Sequence, residues 1–151
     1  MATRSSRTHD VRVSFRARTG SIGAEYLKSA ASFALQGEGV GHAAISITIV
    51  DDEEIHSLNR TWLRHDYPTD IITFPLEEYP LEAELVISAD TARRQGREYG
   101  VPLREELARL VIHGILHLTG YDDTSEAAKT RMKKREDEQV ARFTSRDRTR
   151  S

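Results

Sequence analysis

The sequence reads as a small α/β or α+β domain, and three observations carry that reading. Four short segments have strand patterning, and segments of helical periodicity stand between and after them. The chain has 151 residues, the size of one domain. Apolar residues make up 38% and charged residues 30%, a balance suited to a globular protein with one core.

Taken in order, residues 1–9 are polar and read as a flexible lead, residues 10–143 as the domain, and "TSRDRTRS" (144–151) as a solvated polar tail. "VRVSFR" alternates apolar and polar, as a half-buried strand does. "SIGAEYLKSAASFALQ" repeats apolar residues at helical spacing through Ile22, Tyr26, Leu27, Ala30, Phe33 and Ala34, and "EGVGH" breaks it. "AAISITIV" is β-branched and suits a buried strand. "DDEEIHSLNRTWL" opens with Asp51 as N-cap and Glu54 three residues on, in the manner of a capping box. "RHDYPTD" is turn chemistry, since Pro68 disfavours helix at Tyr67. "IITFPL" and "AELVIS" give two more strands. Three helices follow: polar "SADTARRQGREYG", then "PLREELARLVIHGILHL" with Pro102 in its first turn, then the charged "TSEAAKTRMKKREDEQVARF". Within the last, "MKKRED" reads as a solvated helix face.

Composition narrows the chemistry. The formal net charge is −2, so no global basic field points to nucleic acid, although local patches can still bind it. Cysteine is absent, which excludes disulfides and thiolate metal sites. "MATRSSRTHD" lacks the apolar core of a secretory signal, and no apolar run is long enough to span a bilayer; the expected location is the cytoplasm.

The informative stretch is "HGILHLTGYDD", residues 113–123. His113 and His117 are four apart on a helix, so their side chains lie on one face, one turn apart. That spacing lets one helix give two imidazoles to one metal ion. It also suits two histidines satisfied within a partly buried apolar face. Gly120 stands where a helix ends in a left-handed turn, after which Asp122 or Asp123 can return toward the pair. Gly114 costs a helix interior about 1 kcal/mol against alanine, which implies a close approach, whether to a ligand or to a packed sheet. The layout H-x-x-x-H-x-x-G-x-x-D parallels the metzincin proteases, H-E-x-x-H-x-x-G-x-x-H. Gly114 occupies the place of their general-base glutamate, so the peptidase reading loses its mechanism while the metal reading survives.

"HGILHLTGYDD" resembles the signature H-G-x-L-H-L-x-G-Y-D-H of the YbeY family of endoribonucleases and rRNA maturation factors. "LNRTWLRHDYPTDIITFP" is similar to that family's L-N-x-x-Y-R-x-x-D-x-P-T-D-V-L-S-F-P, and "AELVISADTA" to its G-D-I-x-I-S. The three blocks occur in order over roughly residues 45–123. The resemblance implies a four-stranded mixed sheet packed with the five helices, and a metal site at the end of a groove. It implies His113, His117 and Asp123 as metal ligands, one Zn2+ per chain with other divalent metals left open, and a metal-bound water as the catalytic species. The activity implied is single-strand-specific RNA cleavage in maturing the 3′ end of the small-subunit ribosomal RNA and in ribosome quality control. The implied partners are ribosomal RNA and the small ribosomal subunit, with ribosomal proteins or an assembly GTPase beside them, and no membrane.

The chain departs from the signature at three places. Asp123 replaces a histidine, Leu63 takes the place of an arginine with Arg64 one residue on, and Ala83–Glu84 replace Gly-Asp. Two imidazoles and a carboxylate leave a position for water, as in catalytic zinc sites, and also describe non-haem iron sites. Arg60 and Arg64 are candidates to contact RNA phosphates, or form the solvent side of a helix end. Asp122 is a candidate base or partner of the ligands, or a turn aspartate; Thr69 and Asp70 border the groove or are turn residues. His9, His42, His56 and His65 have no ligand spacing. A zinc metallopeptidase and a non-catalytic ribosome-assembly factor with a structural metal stand as rivals.

Overall fold

The computed structural model describes residues 8–65 and 69–150. Residues 1–7, most of the expected flexible lead, lie outside the described residues, as do Asp66, Tyr67 and Pro68 of the expected turn and Ser151 of the tail. The elements are β1 (Thr8–Phe15), α1 (Ala24–Gly37), β2 (His42–Val50), α2 (Asp52–Leu63), β3 (Ile71–Glu77), β4 (Leu81–Ser88), α3 (Ala89–Tyr99), α4 (Leu103–Leu118) and α5 (Glu126–Arg150). The sheet order is β1-β2-β4-β3. β1 and β4 both run parallel to β2, and β3 pairs antiparallel with β4, so the sheet is mixed as expected.

Alternation in the strands decides how the layers stack. Ala43, Ile45, Ile47 and Ile49 of β2, with Ala83, Leu85 and Ile87 of β4, all face one core. α1 covers that face with Leu27, Ala30, Ala31, Ala34 and Leu35, a stripe at helical spacing. α4 lies at the centre of the layer and packs on α1, α3, α5, β3 and β4. It buries Leu107, Ala108, Val111, Ile112, Ile115 and Leu116 completely, each large apolar side chain contributing about 1.5–3 kcal/mol by burial. α2 covers the other side, where Ile55 meets Val50, Ile72 and Val86.

Several boundaries differ from the sequence reading; α1, for one, begins at Ala24, so Ile22 precedes the helix. Thr8 and His9 are strand rather than lead, because they pair in register with His42 and Ala43, and His9 Nε2 bonds the Val40 carbonyl at 2.8 Å. α5 continues through Arg150, taking in most of the expected tail. Phe143 packs between Tyr26 and Phe33 at 5.5 Å centroid spacing, and no glycine or proline follows it to stop the helix. Pro102 is the N-cap of α4 rather than a residue of its first turn.

The caps are otherwise local chemistry. Asp51 accepts from the Glu54 amide at 2.8 Å. The box is half-formed, because the Glu54 carboxylate pairs with Arg16 of the neighbouring β1 end. α2 ends on Arg64 in the left-handed region (φ 59°). α4 ends at Thr119, and Gly120 (φ 116°) lets the Tyr121 amide reach back to the Leu116 carbonyl at 3.1 Å.

Candidate active site

Gly114 sets how close α4 comes to the sheet. A Cβ there would stand 2.9 Å from Leu85 Cδ2 and 3.0 Å from Ile71 Cδ1. The close approach is therefore to packed strand side chains, and the position that holds the metzincin glutamate points into the core. One residue earlier, His113 turns to the other side, into a groove of ≈ 1170 Å3 between α4 and α5. Asp70, just before β3, lines the same groove. The Ser88 amide bonds its carbonyl at 2.9 Å and Gln95 bonds its carboxylate at 3.2 Å. The groove thus borders the carboxyl end of β4, where open α/β sheets place their ligands. A hollow of similar size, ≈ 1200 Å3, lies between the starts of β1, β2 and β4 and the end of α4, and His113 does not line it.

The His113 ring is clamped. Its Nδ1 lies within hydrogen-bond distance of Glu136 Oε1 of α5, at 2.6 Å. Arg109 Nη1 bonds the other oxygen of Glu136 at 2.6 Å and Asp137 Oδ1 at 2.8 Å. The Glu136 side chain is 9% exposed and that of Arg109 26%. Burial works against the charge on Glu136, but the bonds from His113 and Arg109 overcome it and hold its pKa below the ordinary value. The bond to Glu136 raises the pKa of His113 against the opposing effect of burial. Glu106, one turn before Arg109, is 2% exposed, and its Oε2 is buried with no hydrogen-bond partner among the described residues. Burial raises its pKa; Arg109 opposes the rise and the charges of Glu136, Asp70 and Glu105 add to it.

The structure brings together only some of the expected site residues. His113 and Asp123 line the groove, and the charge of Asp123 is felt at His113. His117 is exposed and does not line the groove among the described residues. No group of three histidine, aspartate or glutamate side chains among the described residues is arranged to hold an ion. The expected triad His113, His117 and Asp123 is therefore not preassembled: Asp123 is exposed on the turn after Gly120, and His117 projects one turn along from His113. The donor chemistry does fit a divalent metal. With Nδ1 bound to a buried carboxylate, His113 offers Nε2, the arrangement typical of ligating imidazoles.

Asp122 serves its turn. Its Oδ1 accepts from the Thr124 amide at 3.1 Å and hydroxyl at 2.8 Å, bonds that hold its pKa low. Arg60, Trp62, Leu63 and Arg64 are all exposed at the end of α2. Asp70 borders the groove, whereas Thr69 is not among its described lining residues.

The sequence reading missed Glu136, and "MKKRED" is not a solvated face. Met132 and Glu136 are buried, and Arg135 bonds Glu38 at 2.7 Å and the Gly37 carbonyl at 3.0 Å. The signal was present: Ala128, Met132, Glu136, Val140 and Phe143 recur at helical spacing, and that stripe is the buried side of α5.

The chain is thus a compact α/β domain whose central helix presents a clamped histidine, among carboxylates, to a groove at the carboxyl end of a strand. The comparisons with known proteins give the family. The family described as Endoribonuclease YbeY matches residues 12–144, and the chain belongs to it. A relative from Aquifex aeolicus named Endoribonuclease YbeY is 47% identical over 61% of this chain and 64% of its own length. One of the same name from Syntrophotalea carbinolica is 39% identical over 88% of this chain and 95% of its own. The solution structure of TM1509 from Thermotoga maritima superposes with a TM-score of 0.70 at 29% identity, covering 93% of each chain. The chain thus spans just under two thirds of the Aquifex relative and nearly all of the Syntrophotalea one.

Proposed function

We propose that this chain is a metal-dependent endoribonuclease, a hydrolase of RNA phosphodiester bonds acting in the cytoplasm on single-stranded ribosomal RNA. Its place in the cell would be maturation of the small-subunit RNA 3′ end and quality control of ribosomes. The observation that carries the reading is the clamped His113 in a groove whose carboxylates outnumber its lysines and arginines, seven to four. Left bare, such a groove repels phosphate. A divalent cation held by His113, His117 and Asp123 would reverse that locally. When bound, the metal, zinc in the simplest case, would supply Lewis acidity, polarising a phosphoryl oxygen and acidifying a water.

The protein's own part is positional. Gly114 allows α4 to sit close to Leu85 and Ile71, which fixes His113 beside Asp70. His117, being exposed, and Asp123, on a glycine-ended turn, complete the ligand set by side-chain rotation. Arg60 and Arg64 offer phosphate contacts at the end of α2. The peptidase reading is disfavoured, because position 114 faces the core and supplies no carboxylate.

The test is cleavage of a single-stranded ribosomal RNA fragment by metal-stripped and zinc-reloaded protein, with His117→Ala as control. Cleavage that returns with zinc and is absent in the variant supports the reading. Zinc-loaded protein that binds the fragment and never shortens it favours a non-catalytic assembly factor. Chelator-sensitive cleavage of unstructured peptides would favour the peptidase.

A further inference from the structure

We propose that Glu136 is a positioning residue for the site: from α5 it fixes the tautomer and the orientation of the His113 ring, so that Nε2 is the nitrogen offered to the groove. The inference rests on the reading of His113 as a metal ligand.

Four observations carry it. The Nδ1 to Oε1 distance is 2.6 Å, a short bond between groups 23 residues apart, so tertiary packing and not helix geometry makes it. A carboxylate only accepts, so the proton on the imidazole nitrogen it meets is held there. The ring then has one lone pair left, at Nε2. Glu136 is itself immobilised. It is 7% exposed, and Arg109 grips its second oxygen at 2.6 Å, leaving neither oxygen free to turn away. Finally, Arg109 and His113 leave α4 one turn apart, so a single carboxylate from α5 engages both and sets the spacing of the two helices at the groove.

The arrangement has a consequence for the ligand set. A neutral imidazole in water places its proton on either nitrogen, and a metal ion can bind only the bare one. A ring whose Nδ1 proton is already held pays neither for choosing a tautomer nor for freezing its rotation when an ion arrives. Loss of such a partner weakens metal binding by about 10- to 100-fold in sites of this kind.

The experiment uses the full chain, metal-free, labelled with 15N in histidine, at a pH where the ring is neutral. The His113 resonances are expected to show the proton on Nδ1. In Glu136→Gln, whose amide can donate as well as accept, that preference should be lost and the Nε2–H form should appear. Zinc affinity of the same two proteins, read by competition with a chromophoric chelator, should fall by about 10- to 100-fold in the variant. A proton on Nε2 in the parent overturns the proposal, and so does a variant that keeps both the parent's tautomer and its zinc affinity. If Glu136→Gln does not fold, the parent's tautomer decides alone. If the parent binds no zinc, the metal reading fails while the tautomer still decides whether Glu136 positions the ring.

Discussion

His113 and His117 leave the same helix one turn apart and have opposite surroundings. The first is held between α4 and α5 by a buried carboxylate that Arg109 also grips. The second is exposed and has no such clamp among the described residues. The contrast extends to the elements around them. On the α5 side, Arg109 joins the buried Glu136 to the more exposed Asp137, and the buried Glu106 lies one turn before Arg109. On the turn side, Asp123 is exposed. One half of the site is therefore fixed before anything binds, and the other half has room to adjust. On the proposed metal reading, preorganising one ligand would remove its ordering cost, and leaving the others open would keep a path for an ion and for a bulky polyanion.

The comparison is broken most directly at the two histidines. His117→Ala should lose most bound metal and keep its stability within about 0.5 kcal/mol, as exposed substitutions do. His113→Ala should lose the metal and also fall in stability by about 1–3 kcal/mol, because Glu136 loses a hydrogen-bond partner in a buried place. Elemental analysis and urea unfolding read the two effects separately. Equal unfolding midpoints for the two variants would erase the distinction between fixed and open halves. In the same assay Asp123→Ala should lose metal and Asp122→Ala should keep it, since Asp122 is occupied with Thr124.

A smaller effect sharpens the fixed half. Burial raises the pKa of Glu106 above its ordinary 4.5. A carboxyl whose pKa is higher folded than unfolded favours folding in its protonated form. Its penalty is therefore absent below the unfolded value and grows as pH rises through the folded one. Glu106→Gln removes the charge and keeps the shape. At pH 7 it should be more stable than the parent by about 1 kcal/mol, because the amide is neutral where the parent buries a charged oxygen that no donor among the described residues meets. At acid pH, with the parent carboxyl protonated, the two proteins should melt together. A gap that does not change with pH would show that charge is not the cause.

The smallest effect lies at the end of α2. Trp62 is the chain's one tryptophan, 67% exposed between Arg60 and Arg64, so its fluorescence reports on RNA reaching that end of α2. If both arginines meet phosphates, Arg60→Ala with Arg64→Ala should flatten the slope of log affinity against log salt. The expected change is about 0.7 for each single-strand phosphate that an arginine no longer neutralises. An unchanged slope would make them the solvent side of the helix end.

The parts of this protein that depend on near neighbours in the chain were legible in its sequence. Strand alternation, the Asp51 cap, the stop at Gly120 and the one-turn spacing of His113 and His117 are set within a few residues, and periodicity reports them directly. So was membership of the YbeY family, because its three blocks are contiguous words in the chain. What only the tertiary structure decided are the relations between distant residues. Gly114 is glycine because Leu85 and Ile71 come from strands some thirty and forty residues away and fill the space where its side chain would be. Asp70 reaches the groove because the Ser88 amide holds its carbonyl. Glu136 looked like one more charge in a charged helix, and it is buried because α5 lies against α1 and α4, with Phe143 between Tyr26 and Phe33. A charged residue on an amphipathic helix faces water or a partner according to what packs there, and that packing is a property of the whole fold, not of any short stretch of chain.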